Sequence, residues 1–246
     1  MQAEIAKILG KSKKLPLDFA IEYIGPASLT SEALRILAVL IREYHPANIL
    51  EFGCGFSTLF ICHELNARGY GHLYSVENIK FFLDRTRSLL GETGNVTFFH
   101  CPLRRYWFNY RAFVTYSDHY LGLLPPGTKL DLVLIDGPYG RIFSRTAPLL
   151  QIVPFLSANA WVLLDDSNRE REQNTLLFWQ KLYGENIEIV NLPNVGKGFA
   201  IIRIREPNSP PYRHFSILEI IKSIFESWRE LRENRRYMER ISLLDK

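Results

Sequence analysis

The chain has 246 residues, 47% of them hydrophobic and 23% charged, which suits one α/β domain with terminal extensions and excludes wholesale disorder. A formal net charge of +4 is too small to argue for a nucleic-acid partner, and the runs Lys11-Ser12-Lys13-Lys14 and Arg235-Arg236 read as solvated surface. Cys54, Cys62 and Cys101 make no complete disulfide set, no basic-then-apolar leader opens the chain, and no apolar run approaches the ~20 residues of a membrane span, so a cytoplasmic protein without a transmembrane segment is expected.

In chain order, Ala3 to Leu9 reads as a short helix, and a basic connector holding Gly10 and Pro16 follows to Leu17. Thr30 or Ser31 opens a second helix with Leu34, Leu37, Ala38, Ile41 and Tyr44 at helical spacing, ended by His45-Pro46. Asn48 to Phe52 reads as a buried strand, broken by Gly53-Cys54-Gly55, and Ser57 to Ala67 as a helix. A strand at His72 to Val76, a helix from Ile79 to Leu90 and a strand at Val96 to His100 come next, stopped by Pro102. The segment Arg104 to Pro126 is aromatic-rich and is expected to be an irregular insertion. Leu130 to Ile135 is a strand, Ser144 to Leu156 a helix, Ala160 to Leu164 a strand and Arg169 to Tyr183 a helix. Strands at Ile187 to Asn191 and Gly198 to Ile204 are joined by too short a link for a crossover helix and should pair antiparallel. Past Pro207, Pro210 and Pro211, Phe215 to Ile241 reads as one long amphipathic helix. The alternation predicts a Rossmann-like, seven-stranded, mostly parallel α/β sheet with an antiparallel edge hairpin, N-terminal helices and a long C-terminal helix. Residues 1–27 form an N-terminal extension, 28–206 the main domain, and 207–246 a linker and helix.

The glycines of Glu51-Phe52-Gly53-Cys54-Gly55-Phe56-Ser57 sit at the carboxyl end of the first strand, where open α/β sheets bind ligands. Alone they fit a purely structural turn equally well. Glu77 follows the second strand roughly 20 residues on, where an acid accepts both ribose hydroxyls of an adenosine; a solvated glutamate is the alternative. Thr58 stands where a nicotinamide fingerprint wants its third glycine, which argues against a dehydrogenase.

These residues resemble the class I S-adenosylmethionine (SAM)-dependent methyltransferases over residues 28 to 205. Glu51, Gly53 and Gly55 resemble the family's first motif, Glu77 its ribose-binding acid, Leu130 to Pro138 its fourth strand and terminal motif, and Trp161 to Asp166 its fifth. The resemblance implies SAM as cofactor, with the methionine carboxylate near Gly53, Gly55, Ser57 and Thr58, the ribose at Glu77 and Asn78, the adenine near Cys101, Pro102 and Leu103, and Asp136 beside the cofactor. Ser57 replaces the usual third glycine, and the acid often found after the third strand is missing from His100 to Leu103. Two groups within the family are similar. In the metal-dependent catechol-type and sugar O-methyltransferases, a Ser/Thr before the first helix is matched by Thr30-Ser31. In the glucuronoxylan O-methyltransferase-like group, Asp-x-Pro-x-Gly is matched by Asp136 to Gly140, and an aspartate and arginine by Asp166 and Arg169. Both imply oxygen as the target atom and a saccharide or small hydroxylated acceptor.

Asp136, Asp165 and Asp166 should converge at one end of the sheet, and three close carboxylates raise one another's pKa unless a cation intervenes. Mg²⁺ or another hard divalent ion suits such an all-oxygen set and would make Asp136 and Asp166 catalytic through it. The alternatives are that Asp165 and Asp166 cap the following helix, and that Asp136, His100 or His119 is a general base without metal. Arg141 and Arg169 either hold an anionic group or form surface ion pairs. The aromatics from Tyr106 to Tyr120 form a substrate lid or pack on the sheet. The C-terminal helix, with an apolar stripe from Phe215 to Leu231 and Arg229, Arg232, Arg235 and Arg236 beyond, serves oligomerisation first and an anionic membrane surface second. A noncatalytic interaction protein built on the same fold is the competing function.

Overall fold

The computed structural model describes residues 1–17, 28–138, 145–207 and 210–242. Strands β1 (Asn48–Phe52), β2 (His72–Glu77), β3 (Val96–His100), β6 (Leu130–Ile135), β7 (Leu156–Asp165), β8 (Ile187–Leu192) and β9 (Phe199–Ile204) form one sheet in the order β3-β2-β1-β6-β7-β9-β8. β3, β2, β1, β6 and β7 run parallel, whereas β9 is antiparallel to both β7 and β8, which is the expected edge hairpin. The central strands are near-continuous apolar runs because helices cover both faces. Asp131 Oδ2 accepts from the amides of Ala47 and Asn48, at 2.9 and 3.1 Å, and so ties the start of β1 to β6.

One face is covered by α1 (Gln2–Ser12), α2 (Ser31–Tyr44) and α3 (Phe56–Arg68). The Thr30 hydroxyl caps α2 at Ala33 N, and His45 in the left-handed region ends it ahead of Pro46. Buried Glu64 of α3 accepts two bonds from Arg42 of α2, at 2.6 and 2.7 Å. α4 (Lys80–Leu90) lies beside α3, near β2 and β3. The other face carries α5 (Thr146–Ile152), α6 (Glu170–Tyr183) and α7 (Ile217–Ser242). The expected start of α5 at Ser144 lies outside the described residues, and its end is earlier than expected because Pro154 falls in a 3-10 turn at Val153–Phe155, from which β7 already begins.

The segment expected to be irregular is instead an antiparallel ribbon, β4 (Leu103–Phe108) and β5 (Arg111–Tyr116), followed by a 3-10 turn at Asp118–Leu123. Its two-residue turn, Asn109-Tyr110, takes positive φ at both positions (46° and 69°), the twist that suits a tight hairpin. The ribbon lies between α7 and the core, so its inward aromatics Phe108, Phe113 and Tyr116 join that core.

Candidate active site

The parallel strands end together at one rim, and the expected residues of β1, β2, β6 and β7 meet there. Gly53, at φ +93°, turns the chain out of β1 while its amide bonds the Val76 carbonyl at 2.9 Å. A Cβ at Gly53 would lie 3.1 to 3.3 Å from the backbone of Asp136 and Gly137, so only glycine lets the two loops cross this closely. Glu77 ends β2 with its carboxylate against the same turn: Oε2 accepts from Cys54 N at 3.1 Å and Oε1 from Ile79 N at 2.7 Å. With the Asn78 amide also bonding this carboxylate, lone-pair capacity remains for a ligand hydroxyl. Burial pushes the Glu77 carboxyl up to about 7, against the backbone amides of Ile79, Cys54 and Asn78, which favour its ionised form.

Glu51 and Thr58 are wholly buried and act on the loop itself. Thr58 Oγ1 accepts from Gly55 N at 2.9 Å and donates to Glu51 Oε2 at 2.6 Å, and Ser75 donates to the same oxygen at 2.8 Å. Burial raises Glu51 to about 7, with the hydroxyls of Ser57, Thr58 and Ser75 opposing the shift. Gly55 is the residue before α3, and Ser57 is buried in its first turn. Cys101, Pro102 and Leu103 follow β3. Cys101 N bonds the Glu77 carbonyl at 2.7 Å, the Pro102 carbonyl accepts from Ser117 N at 3.0 Å, and Cys101 and Leu103 are buried. Burial pushes the Cys101 thiol up to about 12. Both candidate histidines are held here: His100 Nε2 lies 3.2 Å from the Asn78 carbonyl, and His119 reaches Ser117 Oγ at 3.0 Å and Cys101 Sγ at 3.7 Å.

Asp136, Asp165 and Asp166 do converge, each with a carboxylate oxygen within 4.8 Å of the others. A residue not anticipated from sequence stands among them. Arg145, 3% exposed, places Nη2 at 3.3 Å from Asp136 Oδ1 and 3.0 Å from Asp166 Oδ2, while Nη1 donates to the Asp165 carbonyl at 2.8 Å and Nε lies 3.7 Å from Glu172. Arg169 adds a second guanidinium to Asp166 at 2.9 Å. Burial, then the Asp165 charge, holds Asp136 well above the ordinary carboxylate range, and the two acids hydrogen-bond. Burial, then the Asp166 charge, also raises Asp165. The donor set has the oxygen chemistry of a divalent-ion site, and Arg145 already brings positive charge to it, with Asp136 Oδ1 and Asp166 Oδ2 against one guanidinium nitrogen. Tyr139, Gly140 and Arg141 lie outside the described residues.

Tyr116, from β5, is one of the aromatics expected to form a lid or pack on the sheet, but its place against the glycine turn was not anticipated. A Cβ on Gly137 would run into its hydroxyl, its ring packs 5.3 Å from that of Phe52, and the charges of Glu77, Arg145 and Asp136 all act on it. The phenol therefore occupies the notch between the glycine turn and the acids. Among the described residues, Tyr116 Oη, Asn78 Oδ1 and Asp166 Oδ1 are buried around this rim with no hydrogen-bond partner. Such orphans cost free energy unless a ligand answers them. A separate cleft of about 640 Å³ runs between β5, α6 and α7, lined by Phe113, Phe178, Arg111, Arg213 and Lys181, and reaches Thr146, the neighbour of Arg145.

Residues 50–167 match a family model described as a methyltransferase domain. No curated protein matches the sequence. Among solved structures, the chain is similar to SAH-bound methyltransferase PaMTH1 of Podospora anserina (15% identity, 81% of this chain and 87% of that one, TM-score 0.55). It is similar also to the O-methyltransferase TomG of Streptomyces achromogenes, in complex with SAM and involved in tomaymycin synthesis (16% identity, 81% and 88%, TM-score 0.54). A third is the O-methyltransferase of Bacillus cereus in complex with SAH (14% identity, 82% and 90%, TM-score 0.53). At these identities the likeness is one of fold.

Proposed function

We propose that this chain, whose residues 50–167 match a methyltransferase-domain model, uses SAM to methylate a hydroxyl oxygen of a saccharide or other small hydroxylated acceptor in the cytoplasm. The observation that carries the reading is the bond from Cys54 N to the Glu77 carboxylate, which sets the glycine turn and a ribose-binding acid side by side. Bound there, SAM supplies an electrophilic methyl group. Glu77 accepts the ribose hydroxyls, with Asn78 Oδ1 beside it. Gly53, Gly55 and Ser57 face the methionine carboxylate, and Cys101, Pro102 and Leu103 wall the adenine. Glu51 and Thr58 hold the loop in shape from beneath.

Asp136, against the glycine turn and beside Arg145, is the group assigned as base; it takes the acceptor proton when ionised, and burial and the neighbouring Asp165 make that ionised form a stronger acceptor than an ordinary carboxylate. Asp166 positions Arg145, and Arg145 supplies the fixed positive charge that the sequence had suggested a metal would bring. Three free thiols accord with a reducing compartment.

Titration calorimetry with SAM and SAH tests the cofactor site. Micromolar binding is expected, weakened about tenfold or more in Glu77→Ala through the lost charged hydrogen bonds and absent in Gly53→Arg. A second reading, a noncatalytic interaction protein, is favoured by one observation: the Tyr116 phenol fills the notch. Tyr116→Ala separates the two. If the chain binds SAM by displacing the phenol, this variant binds at least as tightly as the wild type; no heat from either protein supports the noncatalytic reading.

A further inference from the structure

α7 has its polarity reversed for a helix that packs on a protein core. Towards the ribbon and α6 it buries Ser223, Ser227 and Glu230, with Ile220, Leu231 and Ile241 as its apolar share. Each polar group is answered. Ser223 Oγ accepts from Ala112 N at 3.0 Å and donates to the Ile220 carbonyl at 2.7 Å. Ser227 Oγ accepts from Arg105 Nε at 3.0 Å and donates to the Ile224 carbonyl at 2.8 Å, and Glu230 pairs with Arg171 at 2.9 Å. The opposite side presents Leu218, Ile221, Phe225 and Trp228, at steps of three and four that keep them in one stripe; Leu218 is 79%, Phe225 72% and Trp228 65% exposed. The stripe continues along the same side into Arg232, Arg235 and Arg236, with Arg229 beside it, all exposed. A contiguous patch of large apolar side chains running into arginines is not accounted for by the folding of this chain.

We propose that this outward face of α7 binds the surface of a bilayer containing anionic phospholipid, the helix lying in the plane of the interface. Leu218, Ile221 and Phe225 enter the acyl boundary, Trp228 sits at headgroup level, and the arginines meet lipid phosphates bidentately. The occupant follows from charge and area. Leu218 to Trp228 span only about 15 Å of helix, too little for the ~800 Å² per partner of a stable protein interface. A second copy laid along the full stripe would set arginines against arginines or against the apolar chains, whereas an anionic surface satisfies both halves together. The proposal is independent of the methyltransferase reading, and no helix among the described residues is long and apolar enough to cross a membrane.

Co-sedimentation of the full chain with phosphatidylcholine vesicles, with and without phosphatidylglycerol, tests it. The wild type should pellet with the anionic vesicles, less so at high salt, and its tryptophan emission should shift to the blue. Phe225→Asp with Trp228→Ser should abolish pelleting, and Arg232→Glu with Arg236→Glu should weaken it by about tenfold or more. All four positions are exposed, and circular dichroism with a thermal melt of each variant checks that the fold is kept. Failure to pellet with either vesicle would overturn the proposal, as would equal pelleting with neutral vesicles. So would a light-scattering mass of two chains that Phe225→Asp returns to one.

Discussion

Burial sets the protonation of both carboxylates at the glycine turn, and the consequences are measurable. Glu51 and Glu77 are each raised from 4.5 to about 7. Between those values the unfolded chain has released protons that the folded chain keeps, so these two groups favour folding most below pH 4.5, and that contribution is lost as pH rises through about 7. The denaturant midpoint should fall across this window, and Glu51→Gln should remove part of the slope. SAM should show the opposite trend, because ribose hydroxyls prefer the ionised Glu77. Its affinity is expected to rise with pH through about 7 with release of a proton, detected by calorimetry in buffers of different ionisation heat, and to lose that dependence in Glu77→Gln. Arg145 faces Asp136, Asp165, Asp166 and Glu172 together. Removing it as Arg145→Ala leaves buried acids without their cation and should cost about 3–5 kcal/mol in chemical denaturation. Mn²⁺ should then stabilise the variant in a thermal melt and leave the wild type unmoved, while exhaustive chelation should leave wild-type activity unchanged. Gly53 and Glu77 were legible in the sequence because both are fixed by distance along the chain from strand ends. Arg145, and the place of Tyr116 beyond its membership of an aromatic stretch, were not, since only tertiary folding returns the segments that carry them to this rim.

The ribbon β4–β5 shows where reading by element runs out. Its strands alternate poorly, since β5 is buried at five consecutive positions between the core and α7, and its turn is Asn109-Tyr110 rather than a glycine pair. Aromatic richness without alternation therefore looked like an irregular insertion. The parallel strands, by contrast, were visible as short apolar runs between glycines and helices. The contact between ribbon and α7 is polar and can be probed alone. Ser223→Ala strands the Ala112 amide in a buried position and should cost about 1–3 kcal/mol, read as faster hydrogen exchange confined to β4, β5 and α7.

At the scale of the molecule, the parallel pairing of the sheet and its antiparallel edge followed from chain connectivity: long crossovers dictate parallel strands, and the six residues between β8 and β9 forbid one. The position of α7 did not, because a helix with apolar residues on its outer side gives no hint of which side faces home. A ligand that binds only the folded chain should stabilise all of it. At about 100 times its Kd, SAM should contribute about 2.7 kcal/mol and raise Tm by about 5–10 °C, and the absence of any rise would count against the cofactor site.

The ribbon is gripped on both sides: Tyr116 leaves one strand for the notch at Gly137, while Ala112 and Arg105 are bonded to serines of α7. The ribbon thus links the helix to the Tyr116 phenol, and thermodynamic reciprocity makes any coupling between them two-way. If docking α7 on vesicles changes the affinity for SAM by some factor, SAM must change the affinity for vesicles by that same factor, so a single pair of titrations would reveal whether this protein senses where it has landed.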